Sequence, residues 1–310
     1  MIAKPVIKVI HDFPDPLGFY YTESQWYEQH GDNNVILDCQ TSNIYYADHW
    51  TPLSIKCINK GREFYKVNNM TYAVSNENYL VLNEGCVYSS YINETDKAES
   101  FTLNFTKSNL ADILSATMRS QEDNLTDPFL IYNSSVRFIE KLYTNDGKMH
   151  HYLNCLRSMI QQNPEGSVVE LLYMILVELA HVQQITKDEI ENMGFKKQST
   201  REELYKRLTM AKDYIHSCYN EDLSLHKIAQ VSFLNSYYLL REFKKCFGIT
   251  PHQYLTQRRL NEARRLLINT DRPLQVICND IGFENVSSFC KLFKSQYHLQ
   301  PTVFRNIAHT

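Results

Sequence analysis

Residues 35–105 alternate between short apolar runs and turn signals, which is the pattern of antiparallel β-strands. The runs are rich in Ile, Val, Tyr and Phe, and short stretches containing Gly or Asn separate them. Many short strands at this spacing predict a small antiparallel barrel or sandwich. The five predicted strands cover residues 35–37, 54–59, 63–67, 79–82 and 100–105.

From residue 108 onward the apolar residues recur at intervals of three and four, which predicts helices. The last of these helices is apolar around nearly its whole circumference, so it must bury more than one side. Packing between the barrel and neighbouring helices would satisfy this requirement, and so would a subunit interface. Residues 193–200 are expected to form a linker. The predicted helices cover residues 108–119, 129–143, 148–162 and 167–192.

The C-terminal part of the chain contains an internal duplication. Phe233 corresponds to Phe283 at an offset of 50, whereas Ile228 corresponds to Ile277 at an offset of 49. One residue has therefore been added between these positions in the second copy.

Each copy predicts a short helix, a tight turn and a longer helix, which is the helix-turn-helix pattern. In the first copy Ser224 and Asn235 are good N-caps, and Gly248 is placed to end the longer helix in a left-handed conformation. Thr250 followed by Pro251 predicts the start of a further long helix.

The longer helix of each copy has an apolar side and an outward side that carries hydroxyl groups and cations. A central Arg or Lys suits the O6 and N7 atoms of guanine in the major groove of DNA. Flanking cations suit phosphates, and we expect Lys244, Lys245 and Lys294 to bind them. Ordinary solvated helix faces are the alternative. The outward residues are Tyr237, Leu240, Arg241, Lys244 and Lys245 in the first copy and Ser287, Ser288, Lys291 and Lys294 in the second.

The distribution of charge supports a polyanionic partner for the C-terminal part. The whole chain has 32 basic and 35 acidic residues, a net charge of −3. Residues 200–310 hold 16 basic and 10 acidic residues, so this part carries +6 and residues 1–199 carry −9. Such asymmetry is typical of an acidic domain joined to one that binds a polyanion.

The cysteine pattern and the hydropathy indicate a cytoplasmic protein with no membrane partner. The eight cysteines are scattered without a C-x-x-C pair, which favours free thiols in a reducing compartment over a zinc site or a disulfide framework. No apolar run approaches the roughly 20 residues that span a bilayer. The N-terminal residues show no secretory signal pattern.

Residues 225–305 carry a dense set of signature positions. They are Ile228, Ala229, Ser232, Leu239, Arg241, Phe243, Lys244, Gly248, Thr250, Pro251, Tyr254, Arg258, Arg259, Leu260, Ala263, Leu266, Leu267, Ile277, Ile281, Gly282, Phe283, Ser288, Phe289, Phe293, Lys294, Pro301 and Arg305. In these positions the segment closely resembles the AraC/XylS family of bacterial transcription regulators.

The resemblance implies two helix-turn-helix units joined by a long helix, here about 251–268, that sets both recognition helices in successive major grooves. Three residues depart from the family pattern: Cys278 replaces a usual Ala, His298 a common Gly, and Lys291 an Arg. Cys278 and His298 are expected to loosen the second helix-turn-helix. Lys291 lacks the bidentate fork of Arg, so the second helix-turn-helix is also expected to read bases less well. The implied base-reading residues are Tyr237, Leu240, Arg241, Ser287, Ser288 and Lys291.

Residues 79–88 resemble, more weakly, the cupin-like effector domain that many members of this family carry. The usual Pro and His of that segment are replaced by Glu84 and Tyr88, and no H-x-H pair lies near His49. A metal-binding cupin needs converging His and carboxylate ligands. We therefore expect no metal, no cofactor and no catalytic residue.

A barrel of this kind can hold a small ligand. Aromatic rings would stack on a sugar-like ring, and polar groups would bind its hydroxyls. Because the chain has 21 tyrosines, the alternative is that many of these residues are structural. The candidate effector-binding residues are His49, Trp50, Lys56, Arg62, Tyr65, Tyr88 and Tyr91.

Together these patterns predict an α+β protein with an N-terminal cupin-like antiparallel β-barrel followed by helices, then an all-α domain with two helix-turn-helix units. The expected divisions are a barrel over 1–107, a helical dimerisation region over 108–192, the linker over 193–200, and a DNA-binding domain over 201–310.

The predicted function is that of a sequence-specific DNA-binding regulator controlled by a small-molecule effector, with carbohydrates as the candidate class. The expected partners are double-stranded DNA, the effector, a second copy of the chain, and RNA polymerase as a further candidate. Two alternatives stay open: a constitutive regulator whose barrel is a dimerisation scaffold, and a metal-dependent cupin enzyme fused to a DNA-binding tail.

Overall fold

A computed structural model describes residues 7–15, 22–106, 137–162, 168–194 and 197–309. The chain divides into two compact units, Met1–Gly194 and Phe195–Thr310. The first contains an antiparallel sheet and helices, and the second is helical. The predicted α+β class is therefore confirmed.

An eight-stranded sheet forms the body of the first unit. Its strands are β1 (Ile7–Ile10), β2 (Asn34–Trp50), β3 (Leu53–Lys60), β4 (Glu63–Val67), β5 (Met70–Val74), β6 (Asn78–Leu82), β7 (Val87–Phe105) and β8 (Leu142–Thr144). They follow the order β1-β2-β7-β3-β6-β8, and β4 pairs with both β5 and β7. All of these pairings are antiparallel except that of β1 with β2. A short helix, α1 (Glu23–His30), lies between β1 and β2 in the chain.

Two strands are much longer than the sequence predicts. The predicted strands 35–37 and 100–105 are parts of β2, with 17 residues, and β7, with 19 residues. The pairing of β2 with β7 shifts register between Thr41 and Asn43 and again between Tyr46 and His49. Each irregularity breaks the two-residue alternation from which strands are recognised, so their middle parts are hidden in the sequence.

One face of the sheet packs against two helices, α2 (Gly147–Gln162) and α3 (Val168–Glu191). The core between them includes Ile55 and Leu103 from the sheet and Leu176 from α3. The predicted helices 148–162 and 167–192 are confirmed. Packing against the barrel accounts for the buried side of α3.

The helix α3 also carries apolar side chains that this packing leaves exposed. Tyr173, Met174 and Ile185 are exposed by 45–47%. By length and composition alone, α3 is apolar enough to cross a membrane. Our expectation of no such run was too strict, because the 24-residue helix keeps a long apolar window despite Glu170 and Glu178.

The predicted helix 129–143 is wrong in its described part. Residues 142–144 form β8, which pairs with β6, and Phe138 is held by a side chain: its N–H donates to Asn83 Oδ1 at 2.8 Å and its C=O accepts from Asn83 Nδ2 at 2.9 Å. Pairing at the sheet edge and burial of Tyr143 outweigh the helical spacing of the apolar residues. The predicted helix 108–119 and residues 129–136 lie outside the described residues.

The second unit contains seven helices in its described residues. They are α4 (Gln198–Ser217), α5 (Leu225–Val231), α6 (Ser236–Phe247), α7 (Pro251–Asn269), α8 (Leu274–Asp280), α9 (Val286–Tyr297) and α10 (Pro301–Ala308). The side chains of Ser224, Asn235 and Thr250 cap α5, α6 and α7, and Gly248 ends α6 in the left-handed region. The start of α4 lies within the segment expected as the linker.

The turns of the two helix-turn-helix units show where the duplicated copies differ in length. Phe233 has φ +54° and donates its N–H to Gln230, while Gly282 has φ +83° and donates its N–H to Asn279. Phe233 is thus equivalent to Gly282 and not to Phe283. The added residue is Glu284, just before the N-cap of α9.

Candidate functional site

The outward side of α6 is formed as the sequence predicts. Leu239 and Phe243 are fully buried, and this fixes the rotation of the helix about its axis. Tyr237 is then 75% exposed and Leu240 40% exposed. The Arg241 side chain is 55% exposed. These three candidate base-reading residues share the solvent-facing side of the helix.

The second copy repeats this arrangement on α9. Phe289 and Phe293 are fully buried, while Ser287, Ser288 and Lys291 are exposed. Asn285 Oδ1 accepts the backbone N–H groups of both serines and so starts the helix. The serine hydroxyls stay on the outer surface at the N-terminal turn of α9.

The expected phosphate ligands occupy the other end of the same two helices. Lys244 and Lys245 lie in the last turn of α6, and Lys294 lies in the last turn of α9. All three are exposed. A cation in the last turn is favoured by the helix dipole, so both helices carry positive charge beside their candidate base-reading residues.

Arg241 has a partner that the sequence analysis missed. Arg241 Nε donates to Glu242 Oε1 at 2.8 Å, and Arg241 Nη2 lies 2.8 Å from the same oxygen. Glu242 is only 4% exposed, although it is charged. Its position three residues after Leu239, next to the core stripe, is the signal that could have revealed this burial.

The departures from the family pattern are accommodated differently. Cys278 is fully buried and its Sγ lies 3.4 Å from the Phe283 carbonyl oxygen, to which the thiol donates. His298 ends α9 with φ +61°, where Gly248 ends α6 with φ +77°. A side chain in this left-handed conformation is strained, and this strain at His298 supports the expectation of a looser second helix-turn-helix.

Four of the seven candidate effector-binding residues come together on the sheet face opposite the helices. Lys56 Nζ donates to Tyr88 Oη at 2.7 Å and lies 4.6 Å from the centre of that ring. The His49 ring lies 4.0 Å and the Tyr65 ring 5.7 Å from the ring of Tyr88, measured between centroids. All four side chains are buried.

Glu63 belongs to the same cluster and was also missed. It is 4% exposed, and its Oε2 accepts a hydrogen bond from Ser100 Oγ at 2.7 Å. Its position two residues before Tyr65 in β4 puts both side chains on one face. We name the five residues His49, Lys56, Glu63, Tyr65 and Tyr88 the barrel cluster.

Burial controls the protonation of the barrel cluster. Loss of water lowers the pKa of Lys56 to about 8, although the charge of Glu63 partly opposes this change. Burial raises the pKa of the Glu63 carboxyl. It also lowers the pKa of His49 to about 4, and the backbone hydrogen bond to Ala47 opposes that shift. Positive and negative groups are thus held in a region where each is costly to ionise alone.

The other three candidates lie in different surroundings. Trp50 packs against Trp26 and Tyr27 of α1, with ring centroids 6.4 and 6.0 Å apart. Arg62 Nε pairs with Glu94 Oε1 at 3.1 Å, and Tyr91 stacks on Phe64 at 4.9 Å. These contacts are partly exposed and separate from the barrel cluster. Within the part of the chain that the structure describes, no group of three or more His, Cys, Asp or Glu side chains could hold a metal ion.

Known proteins are similar to the second unit. A family model described as a helix-turn-helix domain matches residues 228–307. An uncharacterised HTH-type transcriptional regulator, YobQ of Bacillus subtilis, is 34% identical over 97 residues, which are 31% of this chain and 40% of YobQ. The regulatory protein PocR of Salmonella typhimurium is 32% identical over 99 residues, 32% of this chain and 33% of PocR. The chain therefore spans less than half the length of these relatives.

A solved structure described as a transcriptional regulator with an AraC-type DNA-binding domain, from Chromobacterium violaceum, is 28% identical to the chain. The match covers 34% of this chain and 94% of that one, with a TM-score of 0.32. The family model and the relatives cover the same segment in which the structure shows two capped helix-turn-helix units joined by α7. Residues 228–307 therefore belong to the AraC-type helix-turn-helix domains.

Proposed function

We propose that the whole chain is a sequence-specific DNA-binding transcription regulator, located in the cytoplasm, that a small molecule controls through the N-terminal barrel. The observation that carries the DNA-binding part is the repeated arrangement on α6 and α9. Each exposes hydroxyl groups and a central cation on one side, with further lysines in the last turn. One such face is common in proteins, whereas two on a basic unit indicate a bipartite reader of the major groove.

Selection of bound sequences from a random duplex pool tests this proposal with the full chain. A long, asymmetric motif spanning two major grooves is the expected result. Arg241→Ala should weaken binding to that motif by about 1–3 kcal/mol and relax the preference at one base pair. If no motif is recovered and the chain binds all duplexes alike, with an affinity that changes only with salt concentration, the result would contradict sequence-specific reading.

We infer that the effector binds at the barrel cluster and is a neutral polyhydroxy compound such as a sugar. Lys56 offers N–H donors, Glu63 offers a carboxylate acceptor, and the rings of Tyr65 and Tyr88 offer apolar faces. Hydroxyl groups both donate and accept, so they can satisfy a buried cation and a buried anion at once. A ligand with a net charge would unbalance the two.

The test of the effector is ligand-dependent stabilisation of the first unit. Both tryptophans of the chain, Trp26 and Trp50, lie in that unit, so their fluorescence reports its unfolding separately. A panel of neutral pentoses and hexoses is added at millimolar concentration. A sugar present at 100 times its Kd should stabilise the unit by about 2.7 kcal/mol, and Lys56→Met should abolish that effect.

No stabilisation by any sugar would contradict this effector and favour the alternative of a constitutive regulator. Stoichiometric iron, manganese or zinc in the purified protein would favour the other alternative, a cupin enzyme.

We also propose that the chain forms a dimer through the exposed side of α3, which carries Tyr173, Met174 and Ile185. Met174→Glu should then convert the dimer to a monomer, as measured by sedimentation equilibrium.

A further inference from the structure

Glu242 has a place in the DNA-reading side that its burial makes unusual. It follows Arg241 directly on α6, yet its side chain is 5% exposed while that of Arg241 is 55% exposed. A carboxylate removed from water requires a partner that compensates its charge. In the described residues its ion-pair partner is Arg241, through Nε and Nη2.

We propose that Glu242 is a positioning residue that holds the Arg241 guanidinium in the orientation in which it reads one guanine. The proposal rests on the proposed function, because it concerns the same DNA-reading surface. Glu242 itself does not contact DNA, since it is buried on the inner side of α6. Its role is to fix the side chain that does.

The donor count shows how the two contacts coexist. A guanidinium has five N–H groups in one plane, and the contacts to Glu242 use the one on Nε and one on Nη2. Three N–H groups on Nη1 and Nη2 remain. Two of these, one from each nitrogen, form the end of the fork that can donate to guanine O6 and N7 together.

A second contact restricts Arg241 from its side. The guanidinium carbon lies 5.2 Å from the centre of the Tyr238 ring, one turn earlier on α6. Arginine loses much side-chain entropy when it is immobilised, and here the carboxylate and the ring immobilise it before DNA arrives. Restricting the free state in this way increases affinity for the one base geometry that matches.

The second helix-turn-helix lacks this arrangement and provides a comparison within the chain. Lys291 holds the position equivalent to Arg241, and Leu292, 40% exposed, holds the position of Glu242. No ion pair to Lys291 is found among the residues that the structure describes. Orientation by a buried carboxylate is therefore a property of the first helix-turn-helix, and the two helix-turn-helix motifs should differ in how strongly they discriminate between bases.

The experiment compares discrimination at one base pair by the full chain. The pair read by Arg241 is first located as the one whose preference Arg241→Ala removes from the selected motif. Affinity is then measured for that duplex and for one in which only this pair is replaced. Glu242→Met, which fills the buried site without an acceptor, should lower the ratio of the two affinities about tenfold, within the range that one bidentate pair provides.

Three further variants separate positioning from a change of charge or of stability. Glu242→Asp keeps the charge but withdraws the oxygens by one methylene, so the ratio should also fall. It supplies the test if the methionine variant fails to fold. Glu242→Gln keeps an oxygen acceptor and should retain most of the ratio. Glu203→Gln removes an exposed partner of Arg207 on α4 and should change nothing.

The decisive control is the double variant. When Arg241 is already alanine, Glu242→Met should have no further effect on the ratio, because there is no side chain left to position. A ratio unchanged by both Glu242→Met and Glu242→Asp, or a loss of preference spread over all base pairs, would overturn the inference while leaving DNA reading intact. Failure of the unaltered chain to select any motif would instead overturn the proposed function, and the inference with it.

Discussion

At the scale of single residues, the duplicated unit contains a matched pair of helix ends that differ in one side chain. His298 and Gly248 both end their helices in the left-handed region. The surroundings of Gly248 are open, so only the backbone distinguishes a glycine from another residue there. His298→Gly should therefore stabilise the second unit by about 0.5–1 kcal/mol, and Gly248→Ala should destabilise it by about 1 kcal/mol.

Urea unfolding followed by far-UV circular dichroism measures both changes, with tryptophan fluorescence marking the transition of the first unit. A loss of stability in His298→Gly would show that the imidazole contributes contacts greater than the backbone strain.

Lys244 allows a second prediction at this scale, on affinity instead of stability. Lys244 is exposed in the last turn of α6, one turn beyond Arg241. Lys244→Ala should weaken binding to all duplexes alike and reduce the slope of log affinity against log salt concentration by about one unit. Lys187→Ala, an exposed change in the first unit, is the matched control. An effect confined to the selected motif would reassign Lys244 to base reading.

At the scale of elements, β8 is an edge strand that pairs with β6, and a polar side chain of the sheet holds the segment just before it. Asn83 is 8% exposed and binds both the N–H and the C=O of Phe138, just before β8. Asn83→Ala leaves both backbone groups unpaired and should destabilise the first unit by about 2–3 kcal/mol. Tryptophan fluorescence during urea unfolding measures this change.

Asn59→Ala is the matched control, because Asn59 makes one exposed hydrogen bond, to Glu99 at 3.1 Å, in the same sheet. It should cost less than about 0.5 kcal/mol. Equal effects of the two variants would mean that burial of the Phe138 backbone does not govern the docking of β8.

The elements also show which parts of the structure are local enough to be predicted. The helices of the second unit are defined by neighbours in sequence: an N-cap such as Asn235, a Pro at the first position, a Gly in the left-handed region. β8 depends on Asn83, more than fifty residues away, and no periodicity within 129–143 contains that information. The sequence pairs Phe233 with Phe283, but its structural equivalent is the adjacent Gly282. Only the backbone hydrogen bonds of the two turns distinguish these alternatives.

The candidate site, like the fold, was predictable where it depends on neighbours in sequence. Exposure of Tyr237 and Arg241 follows from the apolar stripe on their own helix. The burial of Glu242 and Glu63 does not, because charged residues are ordinarily placed in solvent when a sequence is interpreted. Both carboxylates lie beside core positions, which is a signal in the sequence, but their actual burial is set by the packing of neighbouring elements.

At the scale of the whole molecule, acid should lower the stability of both units, because each contains a histidine whose pKa is lowered by burial, His49 in the first and His216 in the second. His49 offers the case that tryptophan fluorescence can measure. Its pKa is lowered by burial from 6.5 to about 4, so the folded first unit binds fewer protons than the unfolded chain between these values. The contribution of neutral His49 to the unfolding free energy is therefore fully present above pH 6.5 and is lost as the pH falls towards 4.

Lowering the pKa of His49 from 6.5 to about 4 corresponds to about 3 kcal/mol of stability lost in acid. His49→Asn should flatten the dependence of the unfolding free energy on pH between 6.5 and 4, as measured by tryptophan fluorescence in urea at several pH values. His30, whose pKa is likewise lowered to about 4 by burial, leaves a residual slope. An unchanged slope in the His49 variant would assign the acid sensitivity to other groups.

The helix α7 has a consequence for the operator itself. Its 19 residues give a rod of about 28 Å, comparable with the helical repeat of DNA, about 34 Å. In a regulator that binds DNA as a dimer, the distance between the two contacted half-sites depends on a non-covalent interface between subunits, and that interface can shift. In the proposed two-site reading, one continuous helix within a single chain, α7, separates the two recognition helices. The length of α7 would then set the spacing of the two contacted DNA segments, so inserting a single base pair between them should weaken binding.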